Sequence, residues 1–320
     1  MVPAVPPFSC RLCGSREHRP AVRKDSKSGE ALTISRCLVC SLVQQTAMPT
    51  DEELRIYYSH NYRTDYKKTY EPLPKHVRRA GLTAIDRLRF LSAHLPTPRP
   101  RTLLDIGAGG GEFVYMAERA GFDARGIEPN EGYSSFAKSE YGVDISTMGL
   151  SDLPRASADL VTMFHVFEHL AHPQSAIERI ADVLSPGGHL MIEVPNILQK
   201  DASPHNIYFK AHLFYFSRHT LTAAASRWFE PVAVEDAGNL KVLFRRRDVA
   251  VNIALPAPDA ISDTERRLSA KGWTEYLTQG GGLIKPFLKL RNAVAESRLS
   301  GKRAKTILDG IFESGGLPLS

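Results

Sequence analysis

The sequence has no stretch of apolar residues long enough to cross a bilayer, which excludes a helical membrane-spanning protein. Its first residues, "MVPAVPPFSC", lack the charged start and apolar core of a secretory signal, so a cytoplasmic location is the expectation. Cysteine is scarce, with only four among 320 residues, which argues against a disulfide-built scaffold. No single sign of charge dominates, since 41 Lys and Arg face 35 Asp and Glu. The resulting +6 is a mild bias that serves solubility, and nucleic acid is not an expected partner. There is no internal repeat. What remains, 42% apolar and 24% charged residues, is an ordinary globular composition with room for one sizeable α/β domain and a smaller module or two.

All four cysteines lie near the start, as Cys10-x-x-Cys13 and Cys37-x-x-Cys40. Each pair can put two thiolates on one tight knuckle, and two knuckles complete a tetrahedral Zn²⁺ site. The knuckles read "CRLCGS" and "CLVCSL", each with a small residue after its second Cys, where the chain must turn back. Between them "EALTISR" reads as a strand after a polar turn at "KDSKSGE". Four thiolates leave no open coordination position, so the zinc is expected to be structural. Four unrelated thiols are the alternative, and His18 could displace one ligand. Residues 1–50 are therefore read as a zinc-ribbon module.

Residues 51–100 form a helical, Tyr-rich connector. It opens on a capping-box pattern, Thr50-x-x-Glu53, and continues into Val77, Leu82, Ile85, Leu88 and Leu91 near helical spacing. Tyr57, Tyr58 and Tyr62 could close over a site as a lid or pack in the core. "PTPRP", residues 96–100, is a rigid boundary. From 101 to 247 strand alternates with helix: "RTLLDI", "DARGIE", "VDIST", "ADLVTMF" and "HLMIEVPN" are strands. "PQSAIERIADVLSPGG" reads as a helix ended by glycines, and "PVAVEDA" with "LKVLFRRR" as a closing hairpin on a tight "GN" turn. Such alternation predicts an α/β fold with a mainly parallel sheet, helices on both faces and one antiparallel edge. Residues 248–320 are a basic helical extension: "ALPAPDAISD" is linker-like, and "LIKPFLKLRNAVAESRLSGKRAKTILDGIF" can form one or two amphipathic helices. Those helices could pack with a solvated basic face, or contact a membrane surface or RNA.

Asp105-x-Gly107-x-Gly109-x-Gly111 stands where the first of these strands hands over to a helix. Glycines there let the backbone turn sharply and approach a ligand with no Cβ in the way. The spacing is not that of the nicotinamide-binding loop, and a carboxylate two residues ahead of the first glycine would repel a pyrophosphate. It suits a ligand carrying an ammonium and a sulfonium. Glu128 ends the second strand, where a carboxylate can take both hydroxyls of a ribose. Together "LLDIGAGGGEF", "GIEPN", "LSDLPRASADLVTMFHVFEHLAHP" and "LSPGGHLMIEVPN" resemble the successive motifs of class I S-adenosyl-L-methionine-dependent methyltransferases, over residues 101 to about 246. The resemblance implies a Rossmann-like, mainly parallel seven-stranded sheet with an antiparallel last strand. It implies S-adenosyl-L-methionine as cofactor, with Asp105 and the glycines at its methionine end, Glu128 on the ribose and Asp152 by the adenine. His165, by the sulfonium, and Tyr62 complete the expected cofactor contacts.

With the four-Cys module included, the chain is similar to nucleotide-sugar C-methyltransferases and related natural-product enzymes. Their "HLxYFS" segment carries a catalytic histidine, which here is His212 in "AHLFYFS". Ala211 stands where those enzymes have a glutamate, and their long C-terminal domain is not evident, so the acceptor is read as a small molecule methylated at carbon or oxygen. A surface or helix-capping role is the alternative for His212. His165 is the second candidate base, and it raises another question. His165, Glu168 and His169 spell H-x-x-E-H, the inverted order of a zinc-hydrolase helix. Because His165 directly follows a strand, the i, i+4 helical geometry is not assured, which disfavours hydrolysis. Two readings remain: packing and hydrogen bonding within the fold, or a divalent metal site. The second also resembles the E-x-x-E-H of ubiquinone-pathway and small-RNA 2′-O-methyltransferases. A non-catalytic zinc-ribbon adaptor is the alternative from another class.

Overall fold

The computed structural model describes residues 8–50, 52–53, 72–297 and 299–316. The Tyr57, Tyr58 and Tyr62 lid reading, with Tyr62 as a cofactor contact, lies outside the described residues. The capping box is formed: the Thr50 amide donates to Glu53 Oε2 at 2.7 Å, and the Glu53 amide to Thr50 Oγ1 at 3.2 Å.

The N-terminal strands are β1 (His18–Lys24), β2 (Ala31–Cys37) and β3 (Val43–Gln45). Helix α1 is Pro74–His94, followed by β4 (Thr102–Ile106), α2 (Glu112–Arg119), β5 (Asp123–Ile127), α3 (Glu131–Tyr141) and β6 (Ile145–Ser146). Next come β7 (Ala158–Phe164), α4 (Pro173–Val183), β8 (Leu184–Val194), β9 (Phe214–Tyr215) and α5 (Arg218–Ala225). The hairpin β10 (Phe229–Glu235) and β11 (Leu240–Arg246) precedes helices α6 (Pro258–Ala270), α7 (Trp273–Thr278), α8 (Lys285–Ser297) and α9 (Ala304–Ser314).

A seven-stranded sheet runs in the order β10-β11-β8-β7-β4-β5-β6. Strand β4 is parallel to β5 and β7, β5 is parallel to β6, and β10 and β11 are antiparallel. This is the mainly parallel seven-stranded arrangement with an antiparallel last strand that the resemblance implies. That strand, β11, lies inside the sheet, and β10 is the edge. The burial explains the order: the first five residues of β11 are buried, while β10 is largely half-exposed. A second sheet, β1-β2-β3-β9, is antiparallel throughout.

Two compact units make up the chain: Met1–Glu53, Phe164–Glu178 and Ile192–Pro286 in one, Leu54–Met163, Arg179–Met191 and Phe287–Ser320 in the other. In the second unit, α1 buries Val77, Gly81, Ala84, Ile85, Leu88, Phe90 and Leu91. Leu82, read as part of that stripe, is 45% exposed, and Gly81 takes its place. A Cβ on Gly81 would lie 2.7 Å from Leu308 Cδ2, so the glycine is what lets α9 close on α1. Helix α9 buries Ile307, Leu308 and Phe312, and its Asp309 gathers Tyr115, Arg119 and Lys305.

Four local expectations change. The segment "SPGG" belongs to strand β8 and does not end helix α4, because Gly187 takes φ +71° and a Cβ on Gly188 would meet the Asp159 carbonyl at 3.0 Å. The hairpin is joined by four residues, Asp236 to Asn239, with Gly238 at φ +95°, where a two-residue turn was expected. Helix α6 starts inside the segment read as linker, at a proline that suits the first helical position. Strand β1 was not read at all, since its residues are mostly exposed and show no clean alternation.

In the glycine loop, Gly111 has φ +83° and its Cβ would fall 2.6 Å from Ala137 Cβ, whereas Gly109 at φ +55° faces nothing within 4 Å. Gly111→Ala is expected to cost about 2 kcal/mol or more in urea denaturation, and Gly109→Ala clearly less. Equal losses would contradict this division between packing and open space.

Candidate functional site

The four cysteine sulfurs lie within 4.8 Å of one another, and none forms a disulfide. Cys10 Sγ is 3.5 Å from Cys40 Sγ, and Cys13 Sγ is 3.5 Å from Cys37 Sγ. Four sulfurs around Zn²⁺ at bonds of about 2.3 Å would stand roughly 3.8 Å apart, so the cluster fits that ion. The two knuckles share one construction. The Gly14 amide donates to the Cys10 carbonyl at 2.9 Å, and the Ser41 amide to the Cys37 carbonyl at 3.1 Å. Gly14 and Ser41 both take left-handed φ, +72° and +60°, which is why a small residue follows each pair. Packed thiols cannot all ionise together: hydrogen bonds from Cys10 and Cys40 hold Cys37 down as the thiolate, while Cys40 is pushed up by Cys10 and Cys37. His18 takes no part, since its Nδ1 bonds the Arg16 carbonyl at 2.9 Å and its ring stacks on Phe8.

In the second unit, β4 and β5 end side by side in parallel register, with Asp105 opposite Gly126. Glu128 Oε2 accepts from the Gly109 amide at 3.0 Å and Oε1 from the Asn130 amide at 3.0 Å. The acid at the end of β5 thus fixes the shape of the loop at the end of β4. Gly107, Gly109 and Gly111 all take positive φ. Asp105 is buried and accepts from Thr162 Oγ1 at 2.7 Å. Burial pushes its carboxyl up to about 7, against the opposing pull of Thr162 and Arg87. Asp152 is exposed and closes its own turn, accepting from the Gly149 amide at 3.0 Å.

In the first unit, the H-x-x-E-H residues do not form a metal-binding helix. His165 has φ +56°, and only a short 3-10 turn, Phe167–His169, follows. A left-handed, non-glycine residue of this kind marks a position held by its surroundings. Its amide bonds the Glu193 carbonyl at 2.8 Å, its Nε2 is 3.3 Å from Glu193 Oε1, and its Nδ1 is 3.6 Å from Glu168 Oε1. Burial alone would push the imidazole down, but the two carboxylates outweigh it and hold His165 at about 9. Asn239 Nδ2 donates to Glu193 Oε1 at 2.9 Å and lies 3.2 Å from His165 Nε2.

Glu168 is 1% exposed, and neither carboxylate oxygen has a hydrogen-bond partner. Burial would raise it, yet His165, His169 and His212 hold it below the usual carboxylate range. His169 Nδ1 bonds the Ala211 carbonyl at 2.7 Å, and its Nε2 is 3.8 Å from Glu168 Oε1. His212 sets its ring edge-on to His169, with centroids 4.9 Å apart, and its Nδ1 is buried without a partner. Burial, aided by His169, pushes His212 down to about 4, so it is neutral near pH 7. Ligand atoms of Glu168, His169 and His212 lie within 4.8 Å of one another. The candidate metal set was His165, Glu168 and His169; the structure puts His212 in the group and turns His165 toward Glu193.

Glu193 and Asn239 were missed from sequence, and so was Gln45, whose Nε2 donates to the carbonyls of Lys210 at 2.7 Å and His212 at 2.9 Å. Glu193 stood in plain view as the one acid inside an apolar strand, a signal of buried function. A cavity of about 170 Å³ is lined by Asn196, Phe209, Phe214, Tyr215, Asn239 and Lys271.

Residues 75–227 match the family model described as "Methyltransferase domain". The chain is 30% identical over 118 residues to the "Ubiquinone biosynthesis O-methyltransferase" of Methylococcus capsulatus, covering 34% of this chain and 49% of that protein. The protein of the same name from Marinobacter nauticus is 30% identical over 120 residues, covering 34% of this chain and 50% of its own. The chain thus spans about half the length of the curated relatives it matches. Among solved structures, Burkholderia thailandensis 1,6-didemethyltoxoflavin-N1-methyltransferase, with bound 1,6-didemethyltoxoflavin and S-adenosylhomocysteine, aligns with TM-score 0.47 at 19% identity, covering 65% of this chain and 96% of that one.

Because His165 is held above its ordinary value, its ion pairs stabilise fully below about pH 6.5 and are lost as pH rises through about 9. The thermal midpoint should therefore fall between about pH 7 and pH 10 more steeply in the native chain than in His165→Gln. Parallel curves would contradict the pairing.

Proposed function

We propose that the protein is an S-adenosyl-L-methionine-dependent methyltransferase acting on an oxygen of a small-molecule acceptor, with a structural zinc in its four-Cys ribbon. The observation that carries this reading is the Glu128–Gly109 bond, which joins an acid and an open glycine loop at the ends of adjacent parallel strands. Oxygen is favoured over carbon because the relatives at 30% identity are named O-methyltransferases. The four sulfurs within 4.8 Å, none in a disulfide, support zinc.

When bound, S-adenosyl-L-methionine supplies an electrophilic methyl group on a sulfonium. Glu128 accepts from the Gly109 and Asn130 amides, and a carboxylate can also take ribose hydroxyls. Gly109, with open space where a side chain would be, lets a ligand lie against the backbone, and Asp105 places an acid beneath the loop. Asp152 is the adenine-side candidate. Methyl transfer is an in-line displacement, so catalysis is largely positioning plus removal of the acceptor's proton. His212, neutral at pH 7, is suited to take that proton. His165, held at about 9, is cationic at that pH and serves to attract or orient an electron-rich acceptor. The cavity of about 170 Å³ has room for a single ring and brings Phe209, which packs on His212, and Asn239, which contacts His165, to its walls.

A second reading is favoured by one observation: the buried Glu168 carboxylate and the buried Nδ1 of His212 are unpartnered beside His169. One carboxylate and two imidazoles suit a divalent cation such as Zn²⁺ or Mn²⁺. A cation there would acidify an acceptor hydroxyl, and His212 would be a ligand in place of a base.

One experiment separates the readings: methyl transfer from labelled cofactor to a panel of small hydroxylated acceptors, with metal analysis of the protein. The base reading expects about one zinc per chain, turnover unaffected by chelator, and a loss of about 100-fold in His212→Ala with cofactor affinity unchanged. The metal reading expects a second ion, retained in Cys10→Ser/Cys13→Ser and lost in His212→Ala, and activity restored by Mn²⁺ after chelation. Transfer to no acceptor, or equal loss of cofactor binding in His212→Ala, would contradict both.

A further inference from the structure

Helix α8, Lys285–Ser297, buries none of its side chains. Phe287 is 73% exposed, Leu290 67% and Val294 52%, and the chain entering the helix adds Leu283 and Ile284 at 65% and 60%. At 100° per residue, these five and Leu288 fall on one arc of about 160°. The opposite side carries Lys285, Lys289, Asn292 and Glu296. That polar side is the one tied down. Lys285 pairs with Asp201 Oδ2 at 3.5 Å, and Glu296 receives Arg79 through two bonds of 2.8 and 3.0 Å. An ordinary surface helix does the reverse, burying its apolar face and showing its charges to water. Here the ion pairs anchor the polar face and turn the apolar one outward.

Charge decides what can cover that arc. Arg291 sits within it, at the middle of the helix, and has no carboxylate partner among the described residues; Lys289 and Lys302 have none either. A second copy packed antiparallel across a two-fold axis would bring Arg291 against its own counterpart, two unpaired cations in a dry interface. A lipid headgroup offers a phosphate at the depth a guanidinium reaches when its stem lies along apolar neighbours. We propose that α8 docks the protein on an anionic bilayer surface, with Phe287, Leu290 and Val294 in the headgroup–acyl boundary and Arg291 on lipid phosphate. No helix of the described chain is long and apolar enough to cross, so the protein would lie on the membrane and not span it.

The test is flotation of the full chain with vesicles of phosphatidylcholine alone and with about 30 mol% phosphatidylserine, alongside light scattering of the free protein. The proposal expects flotation with the anionic vesicles only, reduced about tenfold in Phe287→Ser/Leu290→Ser and in Arg291→Glu. Thermal melting of both variants should be unchanged, since none of the three positions is buried. No flotation, flotation undiminished in both variants, or a dimer in solution that the same substitutions dissolve would overturn it.

Discussion

Glu168 carries a carboxylate into the interior with neither oxygen hydrogen-bonded, and that charge organises the acid–histidine cluster around it. A buried, unpaired carboxylate would normally take up a proton. His165, and then His169, hold it below the usual carboxylate range despite its burial. His165, between Glu168 and Glu193, is held cationic, while His212, beside His169 and out of water, is held neutral.

The ribbon is part of this construction and not an appendage. Strand β3 pairs antiparallel with β9, so the segment that carries His212 is the fourth strand of the ribbon's own sheet. Gln45 grips the carbonyls on both sides of Ala211, and Asp25, at the end of the β1–β2 turn, accepts from the Lys210 amide at 2.6 Å. A zinc that fixes the two knuckles would therefore fix the backbone from which His212 projects. This gives the four cysteines a reason to share a chain with a methyltransferase domain.

Local signals were legible in sequence to the extent that geometry is written in residue type. The glycine loop, the knuckles and the alternation of strand and helix each depend on backbone conformations that few residues tolerate, so they could be read directly. Burial of Leu82 could not, because a helical stripe does not say which of two adjacent faces meets a neighbour, and Gly81 decided it by admitting α9. The acid–histidine cluster was half legible. Glu168 and His169 lie in one run of sequence, but His212, Glu193 and Asn239 come from three other segments that only the fold brings together. Asn239 was read as half of a tight turn; in a four-residue loop its amide is free to reach Glu193.

The account rests on the glycine loop and Glu128 as a cofactor site, and calorimetric titration of the intact chain with S-adenosyl-L-methionine tests that most directly. It predicts saturable binding of one cofactor per chain, weakened by about tenfold or more in Glu128→Ala while the thermal midpoint stays put. No binding by the native chain, or full affinity in Glu128→Ala, would contradict it, and the first result would leave the chain as a zinc-ribbon adaptor that keeps the fold without the chemistry.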